Sequence, residues 1–140
     1  MNRLSNTPTR DDLVAVAAFA NIFARPEFVA GEWVKPFPRD DGVIQLGWWS
    51  ASETVAEWER ALYDHNIIDP DGDYLSEISI EYVNRTIADP RVLTGAGLRT
   101  LRRALTFLAR AERHTGGGWY ERAFASGMAP AATRRLGELA

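Results

Sequence analysis

The side chains best suited to recognition chemistry in this sequence are its arginines. All of the 16 basic residues except Lys35 are arginine. A guanidinium presents a planar fork of donors that meets a carboxylate or phosphate through two parallel hydrogen bonds. Arg99, Arg102, Arg103, Arg110 and Arg113 fall within an arc of about 100° when the chain is wound as a helix, and Glu112 falls on the other side. Five cations on one arc without an acid are expected to project into solvent and to bind a partner. The competing reading is a solvated face paired with acids of the same domain.

Other groupings carry less. Asp69, Asp71 and Asp73 alternate around Gly72 like the opening of a calcium loop. Such a loop needs glycine at its sixth position and glutamate at its twelfth, where this chain has Tyr74 and Ile80, so no metal site is assigned. His65 and His114 each fall at an expected helix C-terminus, where a protonated imidazole offsets the helix dipole. Gly116-Gly117-Gly118 lacks the Gly-Lys-Ser/Thr ending of a phosphate loop and reads as a hinge. Glu53, Glu57, Glu59 and Asp64 could supply paired carboxylates, but acids on an amphipathic helix read first as a solvated face. Without cysteine or a Gly-x-Ser-x-Gly motif a nucleophilic triad has no starting point. No catalytic residue, metal ligand or cofactor is assigned.

These residues must be carried by elements that the apolar pattern defines. Thr7 with Pro8 opens a helix that runs through Leu13, Val16, Ala20 and Phe23 to Arg25, where Pro26 stops it. Residues 26–42 read as an aromatic-pinned loop, and Val43–Trp49 as a strand or as half of a hairpin with Glu32–Lys35. An isolated hairpin is marginal in water, so this one is expected to lie against the helices. Adjacent Trp48 and Trp49 would then point to opposite faces, with one exposed. Ser50 and Glu53 suggest a capping box for a helix over 51–65, with Val55, Trp58, Ala61 and Leu62 inward. Asp73 is expected to cap a helix through Leu75, Ile78, Tyr82, Val83 and Ile87, a strand over 75–83 being the alternative. Leu98, Leu101, Ala104, Leu105, Leu108 and Ala111 define the clearest helix. Trp119–Ser126 and Pro130–Leu139 form two short closing helices.

The chain has 140 residues, 46% apolar and 25% charged, which suits one globular domain with a loose end over residues 1–6. Lacking cysteine, it has no disulfide or zinc-thiolate site. With no long apolar run and no signal-peptide pattern, a cytoplasmic protein away from membranes is expected. The net charge of −3 is unevenly spread: residues 1–90 carry 16 acids and 7 bases, leaving −9, and residues 91–140 carry 3 acids and 9 bases, leaving +6.

Several segments together resemble a known family. They are Phe23-Ala24-Arg25-Pro26-Glu27-Phe28 with Gly31-Glu32-Trp33, Leu62-Tyr63, and Ala88-Asp89-Pro90-Arg91-Val92-Leu93. Leu98 to Leu108 follows, with Glu121, Ala125-Ser126-Gly127 and Arg134-Arg135-Leu136. The chain resembles the small bacterial and phage proteins of domain of unknown function 6508. It departs from them at Tyr74 and Ile78, where they usually carry tryptophan, and at Thr115-Gly116-Gly117, where Cys-Glu-Gly is common. The resemblance brings no activity with it.

The expected fold is therefore mainly α: one compact domain of five to six helices with a small β hairpin or extended aromatic segment around residues 32–49. The expected function is a non-catalytic binding protein, in one specific form a phage or mobile-element inhibitor of a host defence complex resembling an anti-CRISPR protein. A protein partner is expected ahead of nucleic acid, because the −9 of the first ninety residues would repel a duplex. A nucleic-acid binder using the arginine face, or an enzyme with an unrecognised acidic site, are the alternatives.

Overall fold

Leu98–His114, the longest helix, decides the architecture because it is buried over more than one face. Leu101, Ala104, Leu105 and Leu108 are inaccessible as their spacing predicts, and Thr106, Phe107 and Ala109 are buried as well. A helix so widely covered runs through the body rather than over it. The computed structural model describes residues 7–69, 80–115 and 117–140. Among these residues the helices are α1 (Arg10–Ala17), α2 (Phe19–Phe23), α3 (Glu53–Asp64), α4 (Ile80–Ala88), α5 (Leu98–His114), α6 (Trp119–Ser126) and α7 (Met128–Glu138), with a 3-10 turn over Pro90–Gly95. The strands are β1 (Gly31–Val34), β2 (Phe37–Pro38), β3 (Ile44–Gln45) and β4 (Trp48–Ala51). The domain is mainly α, as the sequence leads one to expect.

Helix ends differ from expectation in instructive ways. Thr9, not Thr7, caps α1: its hydroxyl accepts from the Asp12 N–H, and Asp12 accepts from the Thr9 N–H at 2.8 Å. That reciprocal box needs an acid three residues on, which Thr7 lacks. The expected single helix to Arg25 is divided at Ala18 into α1 and α2. Ser52, not Ser50, caps α3 through the Val55 N–H, because Ser50 is paired in β4 with Glu32. Asn66 ends the α3 segment in the left-handed region at φ 61°, which asparagine tolerates. The expected cap at Asp73 lies outside the described residues, while residues 80–83 are helical rather than extended. Asp89 caps the 3-10 turn, with Pro90 at its start. Gly127, at φ 91°, divides α6 from α7.

The core gathers around Trp58 of α3. Its ring is fully buried and meets Phe23, Tyr120 and Phe124 edge-on, at centroid distances of 6.0, 5.7 and 5.2 Å. Its indole N–H donates to Thr133 Oγ1 of α7 at 3.0 Å, and that hydroxyl donates to the Ala129 carbonyl at 2.8 Å. Helix α7 packs on α1, α2, α5, α6 and the 3-10 turn. At the α1 crossing only glycine fits: a Cβ on Gly137 would lie 2.9 Å from that of Ala17.

The hairpin is realised in two pieces. Outer β2 and β3 pair as Phe37↔Gln45 and Pro38↔Ile44 around a turn at Gly42 (φ 84°). Inner β1 and β4 pair as Trp33↔Trp49 and Val34↔Trp48. Trp49 packs on the core and Trp48 is exposed, as their alternation predicts. Among the described residues the inner pair lies against α3 and α6 through β4. Contrary to expectation, the outer pair has no comparable packing on the described helices.

The Trp58 donor yields a test. Thr133→Val strands a buried N–H and is expected to cost about 1–3 kcal/mol in urea unfolding. Adding Trp58→Phe removes the stranded donor, so the double variant should lose less than the two single losses combined.

Candidate functional site

The arginine arc lies along one side of α5, but most of it is occupied by the chain that leaves α3. Beyond Asn66 the Ile67 and Ile68 N–H groups both donate to the Leu62 carbonyl, at 2.9 and 3.1 Å, and both isoleucines are buried. This turn carries residues 67–69 across the arginines. Arg102 Nε donates to the Ile67 carbonyl at 3.3 Å. Arg103 meets the Asp69 carboxylate at 3.4 Å, both side chains being largely buried, and the Asp69 N–H donates to Thr106 Oγ1 at 3.0 Å. Arg110 donates to the Asp69 carbonyl at 3.4 Å. Burial draws the Arg102 guanidinium below its ordinary pKa, with the Asp69 charge opposing. Arg99 and Arg113 are exposed, so the expected projection into solvent holds for these two. It fails for Arg102, Arg103 and Arg110, which grip a neighbouring segment. None of Arg99, Arg102, Arg103 and Arg110 is without a partner.

At the other side of α3 three carboxylates from three helices gather around Tyr120. The phenol donates to Glu59 of α3, and the Trp33 indole of β1 donates to Glu121 of α6. The Tyr120 N–H donates to Glu112 of α5 at 2.9 Å. Burial holds the Glu112 carboxyl above its ordinary 4.5; backbone N–H groups of Tyr120 and Trp119 oppose this, and the charges of Glu59 and Glu121 add to it. Burial, reinforced by Glu59, pushes the Tyr120 phenol well above its ordinary 10. Glu53, Glu57 and Asp64 are exposed, as read from the sequence, whereas Glu59 is not the solvated acid expected. Among the described residues no three His, Asp or Glu side chains are placed to hold a metal ion. His65 Nδ1 lies 2.9 Å from Asp12 Oδ1, tying the end of α3 to the start of α1. His114, the last residue of α5, is exposed on the rim of a cleft with Tyr63, Asn66, Ile68, Arg110 and Arg113. Gly117 and Gly118 both take positive φ, consistent with a hinge into α6.

The surface feature least expected is the hairpin. Val29, Trp33, Phe37, Val43, Ile44, Leu46 and Trp48 are all exposed, Leu46 at 74%, Val29 at 63% and Ile44 at 57%. Phe37 and Trp48 meet each other edge-on at 6.4 Å. Arg39 at the tip is paired with Asp41 at 3.0 Å.

A family model matches residues 8–140, described as a family of unknown function, DUF6508. The chain belongs to DUF6508. Comparisons with curated proteins and with solved structures found no match. The segments that carry the family resemblance hold structural posts. Asp89 is a cap, Leu93 is buried, Arg135 Nε donates to the Ala96 carbonyl at 2.9 Å, and Glu121 accepts from Trp33. No helix among the described residues is long and apolar enough to cross a membrane.

Two measurements on this DUF6508 domain test the electrostatic assignments. Arg102→Glu with Arg103→Glu sets new charge against Asp69 and is expected to destabilise by about 3 kcal/mol or more, as breaking a buried pair does. Unchanged unfolding would return both arginines to a solvated face. For Glu112 the folded pKa is raised, so its contribution is fully present below pH 4.5 and is lost as pH rises through the raised value. Glu112→Gln should flatten that part of the melting temperature against pH profile, and a parallel profile would refute the assignment.

Proposed function

We propose that this chain is a non-catalytic binding protein that acts by occupying the surface of another protein, with the arm over residues 29–48 as its contact. The observation that carries this reading is the concentration of seven large exposed apolar side chains between residues 29 and 48, with Phe37 and Trp48 in edge contact. Singly exposed apolar residues are ordinary; so many in one short arm, spread over both of its faces by the strand register, favour a surface that something else covers. Trp33, Phe37 and Trp48 are of the type that dominates binding energy at protein interfaces.

Charge favours a protein over a nucleic acid. Between residues 29 and 48 stand Lys35 and Arg39 against Glu32, Asp40 and Asp41, and Arg39 is already paired. Phosphate backbones are bound by clustered cations, whereas this arm carries a net charge of −1. Of the five arginines expected to bind a partner, Arg99 and Arg113 are exposed, while Arg102, Arg103 and Arg110 are held against residues 67–69. A narrower form of the reading makes the partner a host defence complex, in the manner of an anti-CRISPR protein. The neighbourhood of the gene tests that form.

The arm is tested by placing a photo-crosslinking amino acid at Leu46 in the source cell, then measuring the purified adduct partner with unmodified chain and with Ile44→Asp. We expect one discrete protein adduct and an affinity loss of about thirtyfold, the scale of one hot-spot residue, with unfolding energy changed by less than about 0.5 kcal/mol. An adduct consisting only of a second copy of this chain, or undiminished affinity of the Ile44→Asp variant, overturns the reading.

A further inference from the structure

The cleft between the ends of α3 and α5 carries a second, independent inference. It is lined by Tyr63, Asn66, Ile68, Arg110, Arg113 and His114 and encloses about 320 Å³, within the size range of small-molecule sites. The two elements build it jointly. The left-handed turn at Asn66 places its amide on one wall and doubles the chain back, so that buried Ile68 forms an apolar floor beside Tyr63. The last turn of α5 supplies the opposite wall, with two guanidinium groups and an imidazole.

The arrangement of Arg113 is the informative part. Its guanidinium lies over the Tyr63 ring, 5.6 Å from the centroid, so the contact is made across from one helix to the other. A guanidinium held over an aromatic ring by its charge can still offer N–H groups to an oxyanion. Among the described residues Arg113 pairs with no carboxylate, and none lines the cleft. Arg110 is held at the Asp69 carbonyl and contributes charge and wall rather than a free fork.

Basic residues in a last helical turn offset the helix dipole, and this ordinary role accounts for the sequence position of Arg113 and His114. It does not account for the concavity or for the reach of Arg113 to Tyr63. The two helix C-termini each bring roughly half a negative charge, which two full guanidinium charges exceed.

We propose that this cleft binds a phosphate monoester carried on a small organic molecule. Arg113 takes the phosphate in bidentate fashion with Arg110 and His114 around it, and the organic body lies over Ile68 and the Asn66 amide. A phosphate of nearly two negative charges and three acceptor oxygens suits a guanidinium fork with a second guanidinium charge and an imidazole beside it better than a single carboxylate does. This site is separate from the arm and does not rest on the reading given to it.

The full chain is titrated with adenosine 5′-monophosphate, inorganic phosphate and adenosine, followed by calorimetry and by backbone amide shifts. The nucleotide is expected to saturate and to shift the amides of Asn66, Arg113 and His114, inorganic phosphate to bind at the same amides at least about tenfold more weakly, and adenosine not to bind. Arg113→Ala should weaken the nucleotide by about tenfold or more, the scale of one charge-assisted hydrogen bond. Arg113→Lys should recover only part, since an ammonium cannot bind bidentately. Arg91→Ala, at an exposed arginine paired with Asp89 and lining a different depression, should change nothing. Absence of saturable binding, equal affinity for phosphate and nucleotide, or equal weakening by Arg91→Ala overturns the proposal. Ile44→Asp should bind the nucleotide normally, so failure here and failure of the arm are told apart.

Discussion

A tryptophan at the centre of a helical core brings a donor that cannot be left unmade. The Trp58 ring is inaccessible, so its N–H has no water, and the Thr133 hydroxyl is its partner. That hydroxyl also satisfies the Ala129 carbonyl, and in doing so is held in the rotamer that presents its lone pair to the indole. One hydrogen bond thereby ties α3 to α7. Because α7 also packs on α1, α2, α5 and α6, that tie reaches most of the helical body. Aromatic edges from Phe23, Tyr120 and Phe124 fill the rest of the space around the ring, so the position is over-determined.

The exit from α3 is organised by a second constraint. Residues 67–69 leave the helix beneath α5 and expose backbone carbonyls to it, and buried carbonyls need donors. Arg102 and Arg110 supply them to Ile67 and Asp69, while Arg103 meets the Asp69 charge. Arginine suits this work because its several donors can serve a carbonyl and a carboxylate from one stem. The positive end of the chain is thus partly spent on the negative end, and the imbalance between −9 and +6 is in part an internal pairing.

What was legible in the sequence follows from what is local. Periodicity located the buried face of α5 and the alternation of Trp48 and Trp49, since both depend only on the geometry of one element. Glycine at 127 and asparagine at 66 announced their breaks through backbone preference alone. Thr7 stands before Pro8 as a cap would, but the acid at position 12 lies three residues after Thr9 and makes Thr9 the cap. Ser50 looked like a cap until strand pairing claimed it, which no local pattern reveals. The arginine arc was placed correctly around its helix. What lies against it, a segment more than thirty residues earlier in the chain, has no local signature. The gathering of Glu59, Glu112 and Glu121 around Tyr120 is likewise a meeting of three helices and left no trace in spacing.

The hairpin raises the question of how a chain keeps so much apolar surface in water without associating through its strand edges. Strand length and proline answer it. The outer strands are two residues each, and β2 contains Pro38, which has no N–H to offer a further strand. Between the inner and outer pairs stand Pro36 and Gly47, where a Cβ on Gly47 would run into the Val34 carbonyl and the Pro36 ring, so the ladder is interrupted there. The tip is charged, with Arg39, Asp40 and Asp41 around Gly42. These features discourage backbone pairing while leaving side chains such as Leu46, Ile44 and Trp48 outward. A partner docking on the arm would therefore meet it by seating side chains in apolar pockets rather than by adding a strand. Changes to individual arm side chains should then act on binding with little effect on the Trp58-centred body.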